Sequence, residues 1–165
     1  MLAGDEMRRR QVVQLAHAAR AEEHVQPNGV DLSLDAVWQF AGAGALGVDN
    51  AARTLPAQAE LAFGADGWLE LPPATYGIRY AEWVAVPVDC GGLCFPRSSF
   101  LRMGVYVPTA VWDAGYAGQG SGLLVVSSPY GVRVQRGARI AQLVLFRLTE
   151  PAHAPYRGQY QHEGR

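Results

Sequence analysis

The stretch VWDAGYAGQG, residues 111–120, places one carboxylate, Asp113, between a bulky apolar pair and a run of glycines. Asp beside Gly is common turn chemistry, so a structural role between two strands is the simpler interpretation. A carboxylate held on a rigid turn could instead act as a general base. The rest of the chain bears on which of these two roles Asp113 has.

A second candidate segment, PRSSFLRMG (residues 96–104), groups hydroxyls and guanidinium groups directly after an apolar segment. Guanidinium forks and hydroxyls are good donors to phosphate oxygens, so Arg97, Ser98 and Ser99 could form a phosphate cradle. A serine-rich turn that caps a short helix has the same composition, and for this segment alone that alternative is favoured.

Two polar residues interrupt strand-like segments elsewhere. Asp31 lies in the alternating segment QPNGVDLSLD (26–35), and Gln142 lies in the most apolar segment, RGARIAQLVLF (136–146). A buried Asp needs a partner, so Asp31 is either a paired structural residue or a site carboxylate. Gln142 either bonds the backbone or faces a ligand.

The elements that must position these residues are mostly short strands. One amphipathic helix is predicted over residues 3–21, within an N-terminal helical segment of residues 1–24. About ten short β-type segments follow, separated by Gly, Pro and Asp turn signals, which is typical of an all-β, jelly-roll-like barrel. We expect one domain over residues 1–165, with residues 151–165 as a mobile tail or an arm that reaches a neighbouring chain.

Composition argues against several classes of function. Lys+Arg 14 against Asp+Glu 15 gives a net charge of -1, which does not suit a general binder of nucleic acids or anionic membranes. Two cysteines, Cys90 and Cys94, are too few for a disulfide scaffold or a four-ligand zinc site, and we expect both to be buried. No apolar run reaches the ~20 residues of a membrane span, and the N-terminus does not resemble a signal peptide, so we expect a cytoplasmic protein.

Three further patterns are better explained by structure than by ligand binding. The glycines of GAGALG (42–47) have dinucleotide-site spacing, but Pro56 falls where the required helix would continue. The four histidines show no metal-ligand spacing. The four tryptophans lie in strand-like segments, where packing is the default role.

The order of the motifs is more specific than any one of them. D-L-S in an early strand is followed by P-R-S-S-x-x-x-x-G, D-A-G-Y-x-G and R-I-A-Q-L-V, and then by a C-terminal R-G segment. This series resembles the motifs of the dUTPase and dCTP deaminase superfamily. The run FPRSSFLRMG…TAVWDAGYAGQGSGLL is most similar to the archaeal type of dUTPase, and the resemblance extends from about Val25 to the C-terminus.

The resemblance implies a jelly-roll-like β fold, usually assembled as a homotrimer with active sites at subunit interfaces. It also implies hydrolysis of dUTP to dUMP and pyrophosphate by water attack on the α-phosphorus, with Mg²⁺ held largely by the substrate's phosphates and by water. The residue types suit this chemistry, because it needs a positioned water, a carboxylate to accept its proton, and donors on the phosphates.

The resemblance also implies roles for single residues. Asp113 matches the Asp that orients and deprotonates the attacking water, and Asp31 matches an acidic residue near the metal–water network. Tyr116 matches a ring that packs under deoxyribose and leaves no room for a 2′-hydroxyl. The phosphates would be bound by Arg97, Ser98, Ser99, Arg102 and Gln142. The pyrimidine edge would be read by the backbone of Thr109, Ala110 and Val111.

One carboxylate of the sister deaminases has no counterpart. Those enzymes use a Glu on the strand after the G-(aromatic)-x-G turn, and the matching segment here, QGSGLLVVSS (119–128), contains no carboxylate. Deamination without a general acid/base is hard to support, so the sequence favours hydrolysis. A dCTP deaminase or bifunctional enzyme is the alternative, and a non-catalytic nucleotide-binding regulator is a more remote one.

The C-terminal segment departs from the common trimeric dUTPases, which end in a Gly-rich arm with a Phe that stacks on uracil. PYRGQYQHEGR (155–165) lacks that Phe and is more similar to the deaminase branch. Tyr160 could stack on the base and Arg157 could contact the terminal phosphate. A disordered tail is the open alternative.

Overall fold

The computed structural model describes residues 1–16 and 18–164, so His17 and Arg165 lie outside the described part of the chain. Its helices are α1 (Gly4–Arg9), α2 (Ala21–His24) and α3 (Ser98–Arg102), with 3₁₀ turns at Ala18–Arg20 and Asn50–Ala52. Its strands, in chain order, are β1 (Val13–Gln14), β2 (Val25–Gln26), β3 (Gly29–Ala41), β4 (Ala57–Glu60), β5 (Trp68–Leu71), β6 (Ala74–Tyr80), β7 (Trp83–Ala85), β8 (Cys90–Pro96), β9 (Val105–Tyr106), β10 (Val111–Trp112), β11 (Ala117–Gly118), β12 (Ser121–Val126), β13 (Val132–Gln135) and β14 (Arg139–Arg147).

A curled antiparallel sheet organises the fold, with the order β10-β8-β14-β3-β6-β12-β9 and with β2 and β4 also paired to β3. β3 is central because its first half pairs with β14 and its second half with β6. Both pairings contain a register shift, which bends the sheet where the partner changes. Two smaller sheets, β1-β7-β11 and β13-β5, complete the described strands. The predicted all-β, jelly-roll-like class is confirmed.

One apolar core lies inside the curl of the main sheet. Cys90 and Cys94 are buried in it, as predicted, and both are free thiols. Its largest fully buried side chains come from the central strands and the N-terminus, among them Leu2, Met7, Leu34, Tyr76, Ile78, Tyr80, Leu124 and Leu143. No helix in the described part of the chain is long and apolar enough to cross a bilayer.

The N-terminal helix is shorter than the sequence predicted. α1 ends at Arg9, and Gln11 takes a left-handed conformation with φ 54° that no helix continues through. Val13 then pairs with Val84 of β7, and Val12 is fully buried. Part of the predicted helix is therefore a short strand, because pairing and burial outweigh weak helix propensity.

The centre of the sheet depends on a glycine that faces an indole. Gly77 of β6 pairs with Trp38 of β3, and a Cβ at position 77 would lie 2.0 Å from Trp38 Nε1. We expect Gly77→Ala to lower the free energy of unfolding by about 3 kcal/mol, since overpacked cores strain their neighbours. Urea unfolding of the variant measures this. Gly91→Ala in β8 is the control, because a Cβ there meets nothing closer than 3.8 Å. Equal losses in both variants would contradict the packing explanation.

Candidate functional site

The segment around Asp113 borders a cavity of about 350 Å³, which is within the size range of small-ligand sites. Trp112, which the sequence assigned to packing, and Tyr156 supply much of its aromatic wall. The sequence-predicted site residues that line it are Ala110, Val111, Asp113, Tyr116 and Tyr160.

The turn that carries Asp113 is made by backbone groups. It connects β10, which pairs with β8, to β11, which pairs with β7. The Asp113 carbonyl accepts a hydrogen bond from the Tyr116 amide (3.1 Å), and Gly115 supplies the left-handed φ of 85° that the turn requires. Within the described part of the chain, no hydrogen bond or ion pair engages the Asp113 carboxylate, which is exposed beside the cavity. Asp113 is therefore not needed as an Asx-type turn residue, and its carboxylate is available to a ligand.

Tyr116 forms the floor of the cavity. It is 8% exposed, and its ring packs edge-on against Trp112 (centroids 5.4 Å apart) and Tyr156 (5.7 Å). Its hydroxyl donates a hydrogen bond to Glu163 Oε1 at 2.8 Å. Burial raises the pKa of the Tyr116 phenol, so the hydroxyl keeps its proton and acts as a donor.

The C-terminal segment, for which the sequence suggested a mobile tail or an arm, makes hydrogen bonds to its own chain. The Tyr156 amide donates to the Ala114 carbonyl (2.8 Å), and the His162 amide donates to the Ala117 carbonyl (2.7 Å). The Gln161 side chain bonds the Ala117 amide and the Gly115 carbonyl, each at 3.0 Å. Polar backbone groups of the turn and the aromatic ring of Tyr156 thus provide the docking that composition alone did not indicate.

This docking brings Tyr160 to the cavity, with the Arg53 guanidinium 5.9 Å from its ring centroid. Arg157 is exposed and does not line the cavity. Glu163 does line it, which the sequence did not predict. Burial is the main cause that raises the pKa of the Glu163 carboxyl, and the Tyr116 hydrogen bond opposes it. The sequence held no signal for this contact, because 47 residues separate the partners.

A second cluster forms around Asp31, which is 1% exposed on β3. Its Oδ2 forms an ion pair with Arg97 Nε (3.1 Å) and accepts hydrogen bonds from Arg139 Nη1 (3.3 Å) and Gln26 Nε2 (3.3 Å). Gln142 of β14 is the direct cross-strand neighbour of Asp31. Burial is the main cause that raises the pKa of Asp31, and the charges of Arg97 and Arg139 oppose this effect. The structure therefore brings Asp31, Arg97 and Gln142 together.

The segment Arg97, Ser98 and Ser99, called the serine motif below, lies beside the Asp31 cluster. The Arg97 amide donates to the Ile140 carbonyl (3.0 Å), which joins the start of α3 to β14. Ser98 and Ser99 are exposed in the first turn of α3, and no side chain caps this helix. The helix-capping alternative is therefore not realised. Arg102, at the end of α3, is exposed and lines neither this cluster's cavity nor the Asp113 cavity.

Sequence reasoning missed several charged residues of this second cluster. A cavity of about 460 Å³ beside it is lined by four arginines, Arg20, Arg97, Arg136 and Arg139. Arg139 begins the R-I-A-Q motif, so its position was the available signal. The fully buried Glu82 accepts hydrogen bonds from the Ser33 amide (2.7 Å) and hydroxyl (2.5 Å). No local pattern marks that contact, which spans 49 residues.

The Thr109 side chain makes structural hydrogen bonds, in addition to the role in reading the pyrimidine edge that the resemblance implies for its backbone. Its hydroxyl accepts from the Cys94 amide and donates to the Ala110 carbonyl, both at 2.9 Å. These bonds fix the backbone that leads into Val111. Thr109 and Ala110 also line a smaller cavity of about 200 Å³ that shares Ala110, Trp112 and Ser121 with the Asp113 cavity.

The two groups of candidate residues are separated on one chain. Trp112, next to Asp113, pairs with Gly92 of β8, and Arg97 follows five residues later, directly after the end of that strand. At ~3.4 Å per residue this corresponds to about 17 Å. The Asp113 cavity and the four-arginine cavity have no lining residue in common. The candidate residues of one chain therefore form two separate groups, one at the Asp113 cavity and one at the cationic Arg97 cavity, and these groups are called the Asp113 half-site and the Arg97 (cationic) half-site below.

The described residues offer no cluster for direct metal binding. No group of three or more His, Cys, Asp or Glu side chains among them could hold a metal ion. Glu23 lines the four-arginine cavity and Asp31 lies beside it, and both carboxylates pair with Arg139. Carboxylates that are already paired with arginines, next to phosphate donors, fit Mg²⁺ that keeps its waters and binds mainly through substrate phosphates.

Comparison with curated proteins finds archaeal relatives along most of the chain. A relative from Aeropyrum pernix is 44% identical over 140 residues, which is 85% of this chain and 86% of the relative. One from Methanosarcina mazei is 40% identical over 149 residues, covering 90% and 87%. One from Archaeoglobus fulgidus is 38% identical over 167 residues, covering 99% and 96%. Each is named a probable deoxyuridine 5′-triphosphate nucleotidohydrolase.

Comparison with solved structures supports the fold. The 2′-deoxycytidine 5′-triphosphate deaminase from Agrobacterium tumefaciens superposes with a TM-score of 0.64 at 20% identity, over 87% of this chain and 47% of that chain. The family model described as dCTP deaminase-like matches residues 1–148. This match includes Asp113, Tyr116 and Arg97, and it ends before the C-terminal segment that carries Tyr160 and Glu163. The chain therefore belongs to the dCTP deaminase-like family, as the order of its motifs predicted.

Proposed function

We propose that this protein hydrolyses dUTP to dUMP and pyrophosphate by attack of water on the α-phosphorus. The observation that carries the proposal is the unengaged carboxylate of Asp113 beside a nucleoside-sized cavity with Tyr116 as its floor. The archaeal relatives named as probable dUTP nucleotidohydrolases support the same reaction class.

In the Asp113 half-site, Asp113 orients the attacking water and accepts its proton. A carboxylate with no internal partner can do this without first breaking a hydrogen bond. Tyr116 packs against the deoxyribose, and its buried ring leaves little space for a 2′-hydroxyl. The backbone of residues 109–111 reads the pyrimidine edge, and Tyr160 stacks on the base from the C-terminal segment.

In the cationic half-site, the phosphates are bound by Arg97, Ser98, Ser99 and Gln142, with Arg102 as an additional donor. Arg97 already pairs with Asp31, so it is oriented before substrate arrives. Mg²⁺ would offset the remaining negative charge of the triphosphate, and Asp31 would contact its water shell. No cluster of described residues suits direct coordination.

A complete site requires two chains. The half-sites lie about 17 Å apart along β8. A nucleotide whose nucleoside occupies the Asp113 cavity has its triphosphate close to Asp113, so the cationic residues that bind the phosphates must also lie close to Asp113. We therefore propose a homotrimer in which the Arg97 half-site of one subunit adjoins the Asp113 half-site of the next. We also propose that the protein acts in the cytoplasm, since its substrate would be a free nucleotide.

One observation keeps the deaminase alternative testable. The strand β12 region lacks a carboxylate, but the C-terminal segment places the Glu163 carboxyl in the Asp113 cavity. Burial raises its pKa, which favours the protonated form of this carboxyl. The missing strand Glu is therefore weaker evidence against deamination than the sequence suggested.

A single assay tests these proposals. Purified protein is incubated with dUTP, dCTP, dTTP or UTP and Mg²⁺, and both pyrophosphate and ammonia are followed. We expect pyrophosphate from dUTP, little ammonia from dCTP, and a kcat/KM for UTP at least ~10²-fold below that for dUTP. EDTA should abolish turnover, because the charge on the phosphates would be unbalanced.

Other results of this assay select other functions. Ammonia released from dCTP would establish the deaminase or bifunctional alternative. Turnover of UTP comparable to that of dUTP would contradict the role given to Tyr116. Absence of both products with all four nucleotides, in protein that still binds them, would indicate a regulator.

A further inference from the structure

We propose that Glu163 is a positioning residue for Tyr116 and thereby sets the discrimination between deoxyribose and ribose. This inference rests on the proposed function, which places Tyr116 against the sugar. Tyr116 Oη and Glu163 Oε1 are 2.8 Å apart, and both residues line the Asp113 cavity. The role extends the site to a residue of the C-terminal segment that no motif marks.

The backbone of the C-terminal segment holds Glu163 in place. The Gln119 amide donates to the Glu163 carbonyl at 2.9 Å, and the neighbouring His162 amide donates to the Ala117 carbonyl at 2.7 Å. These bonds attach the segment on both sides of β11. Glu163 is therefore anchored at its main chain, so its side chain can act on Tyr116 without a large loss of conformational entropy.

Gly118 makes room for the hydrogen-bonded pair. A Cβ at position 118 would lie 2.5 Å from Tyr116 Oη and 3.3 Å from Glu163 Cγ. The phenol and the carboxyl thus pack directly on the backbone of β11. Because there is no side chain between them, the distance between Tyr116 and Glu163 is set by the sheet and by the docked segment together.

The hydrogen bond matters because the Tyr116 hydroxyl is buried. Among the described residues, Glu163 is its hydrogen-bond partner. Without that acceptor the buried donor would be unsatisfied, which costs about 1–3 kcal/mol unless the ring moves or another acceptor enters. The 2′-hydroxyl of a ribonucleotide is such an acceptor. Loss of Glu163 would therefore both loosen the ring and favour the wrong sugar.

Three variants test the inference. Glu163→Ala removes the acceptor, Glu163→Gln keeps an acceptor oxygen at the same place, and Gln161→Ala removes two hydrogen bonds of the docked segment without touching Tyr116. We measure kcat/KM for dUTP and UTP in each. We expect Glu163→Ala to raise the UTP/dUTP ratio about 10-fold, while Glu163→Gln and Gln161→Ala stay near the wild-type ratio.

A readout that needs no turnover separates this inference from the proposed function. The ring signals of Tyr116 in ¹³C–¹H NMR spectra, assigned with Tyr116→Phe, should shift in Glu163→Ala and shift much less in Glu163→Gln. If wild-type protein does not hydrolyse dUTP, the proposed function fails, whatever the spectra show.

Two results would overturn the inference alone, in protein that does hydrolyse dUTP. The first is a wild-type UTP/dUTP ratio in Glu163→Ala. The second is an equal change of that ratio in Gln161→Ala, which would mean that docking of the C-terminal segment, not the contact with Tyr116, controls sugar selection.

Discussion

Asp113→Asn is expected to lower kcat by ~10²-fold or more while nucleotide binding is largely retained. The amide has the shape of the carboxylate but cannot accept the proton of the attacking water. The substitution should leave the fold intact, since no hydrogen bond or ion pair within the described chain uses the Asp113 side chain. Steady-state kinetics with dUTP give kcat, and calorimetric titration with a non-hydrolysable dUTP analogue gives the affinity.

Asp49→Asn is the matched control for this prediction. Asp49 is also an aspartate in a turn, but its side chain accepts a hydrogen bond from the Ala51 amide at 2.9 Å and lies outside both half-sites. We expect its kcat to equal that of the wild type. Asp113→Asn protein that remains fully active would return Asp113 to the role of a turn residue.

Mixing two inactive variants is expected to restore activity. Arg97→Ala should lower kcat/KM by about 10²-fold, because it removes charge-assisted hydrogen bonds to phosphate. Asp113→Asn inactivates the other half-site. If each site combines the Arg97 half of one subunit with the Asp113 half of the next, random co-assembly leaves about one quarter of the sites intact. Co-refolding the two variants in equal amounts and assaying dUTP hydrolysis measures this recovery.

The control for complementation uses two variants of the same half-site. Arg97→Ala mixed with Ser99→Ala should show no more activity than the sum of the separate proteins, because every site then lacks one phosphate donor. The contrary result is a mixture of Arg97→Ala and Asp113→Asn that is no more active than the sum of the two separate proteins. In oligomers shown to exchange subunits, this result would place the whole site within one chain.

Part of this site was predictable because its signals are local. The Gly-rich turn after Val111–Trp112 and the serine motif after β8 can be recognised from neighbouring residues, and the structure has strands and a short helix at these positions. Asp31 and Gln142 were each recognisable as polar residues in strand-like segments, but only the structure pairs them as cross-strand neighbours. The order of the motifs then led to the family.

The missed features are contacts between distant residues. The β1 pairing that shortens the N-terminal helix joins Val13 to Val84, and the hydrogen bond of Glu163 joins it to Tyr116. Neither contact leaves a pattern along the chain, because each segment, taken alone, could adopt a different secondary structure or none. Local sequence alone favoured a helix over residues 3–21 and a C-terminal segment without contacts. In the folded chain, sheet pairing ends the helix early, and burial docks the C-terminal segment.

Residue types and turn chemistry, taken alone, were sufficient for the all-β class and for the candidates Asp113 and Arg97, and the family resemblance added Tyr116. Folding was needed to divide these candidates into two half-sites, since the extended β8 strand keeps Arg97 about 17 Å from the Asp113 turn. Folding also brought a tail carboxyl to the Tyr116 hydroxyl. The physical reason is the same in both cases: a strand sets distances along its length, but which strands and segments lie side by side depends on the burial of the whole core.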